Sequence, residues 1–289
     1  FANLFEKGAK PRPAASSVKK YIDLIQERPL PKSVGVYWPN YYTAWNNGMP
    51  ADLKNAVSFI RKITNCMPVN DLMIMDGALE RHDLLVVPVA GFARRDVLQR
   101  VIEWVQAGGV ILSTQVTTDL ELEMMPEYAA LFGILPTSEH ASGHHRQDII
   151  ANDLFPTFSA LGNYHATYGW MDLADDVQPL SSTQESQGYA ANAATRMGKV
   201  SSAFMRQAGK GIAICYEGPM VFEQDPEALF PDPGVYKALL TDVLRRYAGT
   251  TNLMPEEGEI ARAEFDGQVY ALRDGQIIAT GSKPEPFKA

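Results

Sequence analysis

The chain has no apolar run near the about eighteen residues that a membrane-spanning helix needs, which excludes the bilayer as its solvent. It has no block of lysine and arginine that could neutralise a row of phosphates. Its formal charge is −8, so nucleic acid is excluded as a partner. Only two cysteines occur, Cys66 and Cys215, far apart and each in or beside an apolar segment. Such thiols act as small hydrophobes, favour a reducing compartment and hence the cytoplasm, and leave a single disulfide open. There is no initiator methionine, no basic leader and no apolar signal core ahead of Phe1, so the chain is expected to be a fragment or a processed product. Internal repeats and low-complexity tracts are absent as well.

What is present is a globular composition: 289 residues, 46% hydrophobic and 21% charged, enough for one main domain with additions. Residues 1–32 read as a Pro-rich linker with one short amphipathic helix through Val18, Tyr21, Ile22 and Ile25, arriving from a preceding domain. From Ser33 the pattern becomes α/β. "SVGVYW" suits a buried parallel strand, and Leu53, Val57, Ile60 and Ile63 then follow at helical spacing.

A second short strand is expected within "PVNDLMIMDGAL" and a third at Leu84 to Val89. A helix carrying Val97, Leu98, Val101, Ile102 and Val105 follows, closed by Gly108 and Gly109 before the strand "GVILSTQ". Strands alternating with helices imply a parallel sheet covered on both faces. Residues 137–195 break the rhythm with Ser, Gly, Asn, His and aromatics, and read as an irregular insert of loops and short antiparallel strands. A hairpin turning at Gly209 to Gly211 and a strong helix from Val235 to Tyr247 complete an α/β domain over 33–250. Two Asp-Gly pairs, at Asp266 and Asp274, predict a small β-meander over 251–289.

The order of these elements carries a resemblance. "LERHDLLVVPVAGFARRDVLQRVIEWVQAGGVILST" followed later by "QAGKGIAICYEG" resembles the class I glutamine amidotransferase-like domain of β-galactosidases, called the trimerisation domain there. The matching features are Val87-Pro88 ending a strand, the helix Arg94 to Ala107, Gly108-Gly109, and Gly209-Lys210-Gly211; the likeness spans roughly 33–136 and 196–248. It implies a flavodoxin-like fold, attachment downstream of a glycosidase barrel, and self-association. An active amidotransferase needs a cysteine on the sharp strand-to-helix turn. Here no Cys or Ser occupies Pro88 to Phe92, so no catalytic residue is assigned, and the resemblance places the catalytic acids in the barrel.

The richest candidate is "VGVYWPNYYTAWNNG", with three tyrosines and two tryptophans in nine residues at the expected ligand-binding rim of the sheet. Trp38, Tyr41, Tyr42 and Trp45, with Asn46 and Asn47 as hydrogen-bonding companions, suit a subunit or interdomain interface, intramolecular packing, or contact with a sugar. A carbohydrate-binding module is the corresponding alternative function. His140, His144 and His145 in "EHASGHHRQD" are expected in a polar loop. They are the candidates for a metal in a second alternative, a stand-alone metal-assisted hydrolase, although their spacing fits no zinc pattern. Lone His82 and His165 read as structural, Asp175-Asp176 and Glu256-Glu257 as solvated surface, and Gly209-Lys210-Gly211 lacks the phosphate-loop spacing. No motif calls for a cofactor.

Overall fold

A computed structural model describes residues 32–41, 51–88, 91–183, 199–218, 234–248, 250–253, 257–259, 261–265, 268–274 and 276–280. The helix expected in the entry segment, and Tyr42, Trp45, Asn46 and Asn47, lie outside the described residues. No helix among the described residues is long and apolar enough to cross a membrane.

The strands are β1 (Ser33–Trp38), β2 (Cys66–Asn70), β3 (His82–Val87), β4 (Val110–Thr114), β5 (Glu139–Ile149), β6 (Asn163–Met171), β7 (Gln178–Pro179), β8 (Ser181–Ser182), β9 (Ala203–Ala208) and β10 (Gly211–Tyr216). The main sheet runs β2-β1-β3-β4-β10-β9-β7. Its first five strands are parallel, and β9 and β7 continue it antiparallel. A parallel order in which the second strand lies outside the first is the flavodoxin-like arrangement, as expected.

Helices α1 (Ala51–Ile63), α2 (Asp71–Met75), α3 (Arg95–Ala107), α4 (Pro126–Leu131), α5 (Pro156–Ser159) and α6 (Val235–Tyr247) flank this sheet. The alternation of side chains along each strand separates two cores. Val34, Val36, Leu84, Val86, Leu112 and Ile214 pack with Leu53, Ile60 and Leu239 from α1 and α6. Tyr37, Leu85, Val87, Ile111, Ala213 and Cys215 pack instead with Val97, Leu98, Val101 and Val105 from α3. Each fully buried Val, Leu or Ile is worth about 1.5–3 kcal/mol of transfer free energy, so continuous apolar strands served by helices on both faces are the stable solution.

Three expectations are corrected. The second strand starts earlier, at Cys66, and ends where Asn70 accepts the Met73 N–H and caps α2, which uses the apolar "LMIM" run. The insert holds long strands rather than short ones: β5 has 11 residues and β6 has 9, paired antiparallel, with β8 beside β5. The histidines at 140, 144 and 145 therefore lie on a strand, not in a loop. The register shifts between Ser142 and His145, so an irregularity takes up the Gly-His pair that makes the segment look unstructured in sequence.

The strand Thr250–Leu253 (β11) adds to the expected C-terminal meander of Ala261–Phe265 (β12), Gln268–Arg273 (β13) and Gln276–Thr280 (β14), forming a four-stranded antiparallel sheet.

The glycines of the Gly-Lys-Gly turn have a physical cause at the end of α3. The β9–β10 hairpin presses on the end of α3: Lys210 N–H donates to the Gln106 carbonyl at 2.9 Å, and Ile212 N–H to the Gly109 carbonyl at 3.2 Å. A Cβ at Gly211 would stand 2.0 Å from the Val105 carbonyl oxygen and 2.2 Å from that of Gly109. Backbone on both sides cannot yield. Gly211→Ala is therefore expected to lower unfolding free energy by about 3 kcal/mol or more, read from urea denaturation, whereas Lys210→Ala at the exposed turn is expected to cost little.

Candidate functional site at the carboxyl rim of the sheet

The carboxyl ends of β1, β3, β4 and β10 meet at one rim, where open α/β sheets bind ligands. At β1, the Tyr37 hydroxyl donates to buried Asp71 Oδ1 at 2.7 Å. Burial pushes the Asp71 carboxyl up against the opposing pull of that hydroxyl, the Asn40 backbone and Arg94. Trp38 is half-buried and packs against the α1-side core, while Tyr41 is exposed.

Pro88 is buried beyond β3. The segment after it is fastened by backbone bonds: Thr118 N–H to the Gly91 carbonyl at 3.1 Å and Ala93 N–H to that of Thr118 at 3.0 Å. No side chain with a nucleophilic atom is supplied by Pro88 to Phe92.

Of the two thiols, Cys215 lies within β10 and is fully buried. Burial, then the neighbouring Glu217 carboxylate, push its pKa well above the usual value, the reverse of what an activated nucleophile needs. Burial likewise raises Cys66, with Arg61 opposing it, and both thiols are free.

The polar centre of the rim is Glu217, one residue past β10 and 1% exposed. Its Oε1 accepts the Trp170 indole N–H at 2.8 Å and the Cys215 thiol at 3.5 Å. Its Oε2 has no hydrogen bond and faces His140 Nε2 at 3.6 Å. The imidazole ring, 40% exposed on its side chain, stacks on Tyr168 at 5.4 Å and meets Trp170 at 4.7 Å. Strand pairing explains the grouping, since His140 lies directly opposite Trp170, and Trp170 exchanges backbone bonds with Ser201 beside β9.

A second buried contact holds the insert beneath this cluster. Gln147 Oε1 accepts the Ser181 hydroxyl at 3.1 Å and the Ser202 N–H at 3.3 Å, and Ser181 is 2.8 Å from the Tyr164 hydroxyl. These bonds join β5, β6 and β8 to the main sheet. They satisfy the Gln147 carbonyl, the Ser181 hydroxyl and the Ser202 N–H, while Gln147 Nε2 and Ser202 Oγ stay buried without a hydrogen bond.

Of the sequence candidates whose side chains are described, His140 is the one that joins this constellation. His144 and His145 belong to β5, and among the described residues no three His, Cys, Asp or Glu side chains gather as a metal site would require. His82 is buried, its Nδ1 2.8 Å from the Ser33 carbonyl. Asp176 is exposed and bonded to Arg206 at 3.0 Å. Glu217 and Trp170 escape a motif search. The one clue in sequence is an acidic residue set directly on the end of the apolar strand "GIAICY", a position that falls on the rim.

No protein-family model matches the sequence, and no curated protein does. Solved structures do. The fold is similar to that of the β-galactosidase from Rahnella sp. R3, with TM-score 0.53 and 15% identity over 90% of this chain and 39% of that one. It is similar also to the β-galactosidase from Bacillus circulans sp. alkalophilus, with TM-score 0.52 and 12% identity over 89% and 37%. A GH42 β-galactosidase from G. stearothermophilus matches with TM-score 0.51 and 13% identity over 87% and 38%. The chain thus spans less than two fifths of the length of these proteins and has the fold of one part of them.

Two outcomes are expected from the rim chemistry. Titration with a thiol reagent at neutral pH leaves Cys215 unmodified until the chain is unfolded; rapid modification in the folded state would contradict the buried, raised thiol. Glu217→Ala strands the indole N–H of Trp170 and lowers stability by about 1–3 kcal/mol in thermal or urea denaturation, more than the exposed Glu139→Ala.

Proposed function

We propose that the chain is the non-catalytic, amidotransferase-like domain of a β-galactosidase-like glycoside hydrolase, and that it serves self-association and the shaping of the enzyme's active-site surroundings. The observation that carries this reading is the match of nearly the whole chain to about two fifths of several β-galactosidases. Fold alone does not assign function, so the rim chemistry has to agree with it. It does in one particular: the rim offers a fully buried thiol and a carboxylate occupied by an indole, where amidotransfer would need an exposed thiolate. The hydrolytic carboxylates then belong to a barrel domain outside this chain.

Within this reading the aromatic stretch following β1 is the association surface. Its described part supports a division of labour, because Trp38 is engaged with the core while Tyr41 faces solvent. Tyr41 is therefore the described residue to change, Trp45 is changed with it as the second aromatic candidate of the stretch, and Trp38 is the one to leave.

The test is the mass of the chain by sedimentation equilibrium. An oligomeric parent that Tyr41→Ala/Trp45→Ala dissociates, with an unchanged melting temperature, is the expected result. A monomeric parent overturns self-association. A monomer that binds galactosides through the same residues would instead identify a carbohydrate-binding module.

A further inference from the structure

The carboxylate of Glu217 is bonded on one side only. Its Oε1 takes the Trp170 indole, whereas Oε2, buried and without a hydrogen bond, faces the ring of His140. Ser202 lies directly opposite Glu217 where the β9–β10 pairing continues, its carbonyl accepting the Glu217 N–H at 2.7 Å, so the two side chains share a face of the sheet. The Ser202 hydroxyl is buried without a hydrogen bond as well. Two unsatisfied oxygens thus occupy neighbouring positions.

Backbone strain falls at the same place. Gln115, one residue past β4, has φ 63°, a left-handed conformation that glycine adopts freely and glutamine only at a cost. Its N–H donates to the carbonyl of Tyr216, the residue before Glu217. Packing alone asks for neither the strain nor the bare oxygens. Such costs persist where the surroundings serve a function.

Over Glu217 lies a fixed aromatic surface. His140, Tyr168 and Trp170 stand on one face of the β5–β6 ribbon, with His140 paired to Trp170. Gly169, between the two β6 rings, lets the ribbon lie close on the chain that leads into β9: a Cβ there would stand 2.5 Å from Val200 Cγ1 and 2.9 Å from the Ser201 carbonyl oxygen. Trp170 is buried, while Tyr168 and the imidazole, stacked with 14° between their planes, keep exposed surface. The solvent side therefore offers an apolar ring, a phenol hydroxyl and part of an imidazole.

The carboxylate decides what that imidazole can do. An anionic oxygen opposite Nε2 favours the proton on that nitrogen and leaves Nδ1 as the acceptor. An acceptor nitrogen beside a flat apolar ring suits a ligand that has both hydroxyl donors and a C–H face.

We infer that His140 and Tyr168 form a binding site for the pyranose ring of a β-galactoside, with the sugar's apolar face on Tyr168, a sugar hydroxyl donating to His140 Nδ1, and Glu217 beneath as the positioning residue that holds the imidazole in this tautomer. The sugar class rests on the reading that the chain belongs to a β-galactosidase-like enzyme; the place of the site rests on the geometry. A domain without catalytic residues contributes to an active site's surroundings in this way.

The experiment titrates methyl β-galactoside into the purified chain and follows the His140 ring by NMR, with melting temperatures and sedimentation mass measured alongside. Saturable binding that shifts the His140 resonances is expected in the parent, a readout that depends on no variant. His140→Ala and Tyr168→Ala are each expected to weaken binding about tenfold or more, and Tyr41→Ala/Trp45→Ala to leave it unchanged. Glu217→Gln keeps an acceptor for the indole but turns an amide N–H toward His140. It is expected to move the ring proton from Nε2 to Nδ1, read from the ring-nitrogen chemical shifts, and to weaken binding with it; a variant that keeps the parent's tautomer and affinity overturns the positioning role. No saturable binding by the folded parent, or binding that His140→Ala and Tyr168→Ala leave intact, overturns the site, and an oligomeric mass in the same sample leaves the proposed self-association standing. A monomeric chain that binds the galactoside through His140 and Tyr168 supports the site and overturns self-association.

Discussion

The buried carboxylate of Glu217 is the junction on which the rim depends. It accepts the indole of Trp170 from the insert and the thiol of Cys215 from the sheet, and it stands beneath His140. A buried carboxyl oxygen is costly without a donor, and the Trp170 indole N–H meets Oε1, so a shift of the insert's strands would leave both that oxygen and the indole without their partner. Together with the Gln147, Ser181 and Tyr164 bonds, this fixes an antiparallel layer against a parallel sheet. The same thiol and carboxylate, one residue apart in the chain, bind each other instead of facing solvent.

A comparable economy governs the far end of the sheet. Gly209 and Gly211 let the β9–β10 hairpin touch the last turn of α3, so the final parallel strand is aligned with β4 by backbone contact rather than by side-chain packing. The sheet is pinned by glycine at one end of its strands and by a buried polar cluster at the other. Between them the apolar residues of β1, β3, β4 and β10 need only fill the two cores.

Much of this was legible in the sequence. The helical spacing from Leu53 to Ile63 and from Val97 to Val105, the strand ending at Val87-Pro88, the Gly-Lys-Gly turn and the C-terminal meander are local patterns, and local patterns set these elements. The strand from Glu139 to Ile149 was not legible, because its glycine disfavours a strand and it is held by pairing with β6 and by bonds from its Gln147 to Ser181 and Ser202, partners distant in sequence. The turn at Asp119 was hidden for a related reason: a buried aspartate and Arg95 make it, without the Gly or Pro that signals a turn. Glu217 carries no motif, because an acidic residue after an apolar strand is indistinguishable from a solvated strand end until the insert is laid over it.

On the proposed function the rim serves structure and association, and the chemistry lies in another domain. The most direct test is hydrolysis by the purified chain, assayed with an aryl β-galactoside and with glutamine across a range of pH. No turnover above that of buffer is predicted with either substrate. Turnover that Cys215→Ser or Glu217→Gln abolishes, in variants that remain folded, would contradict the account and make the rim an active site.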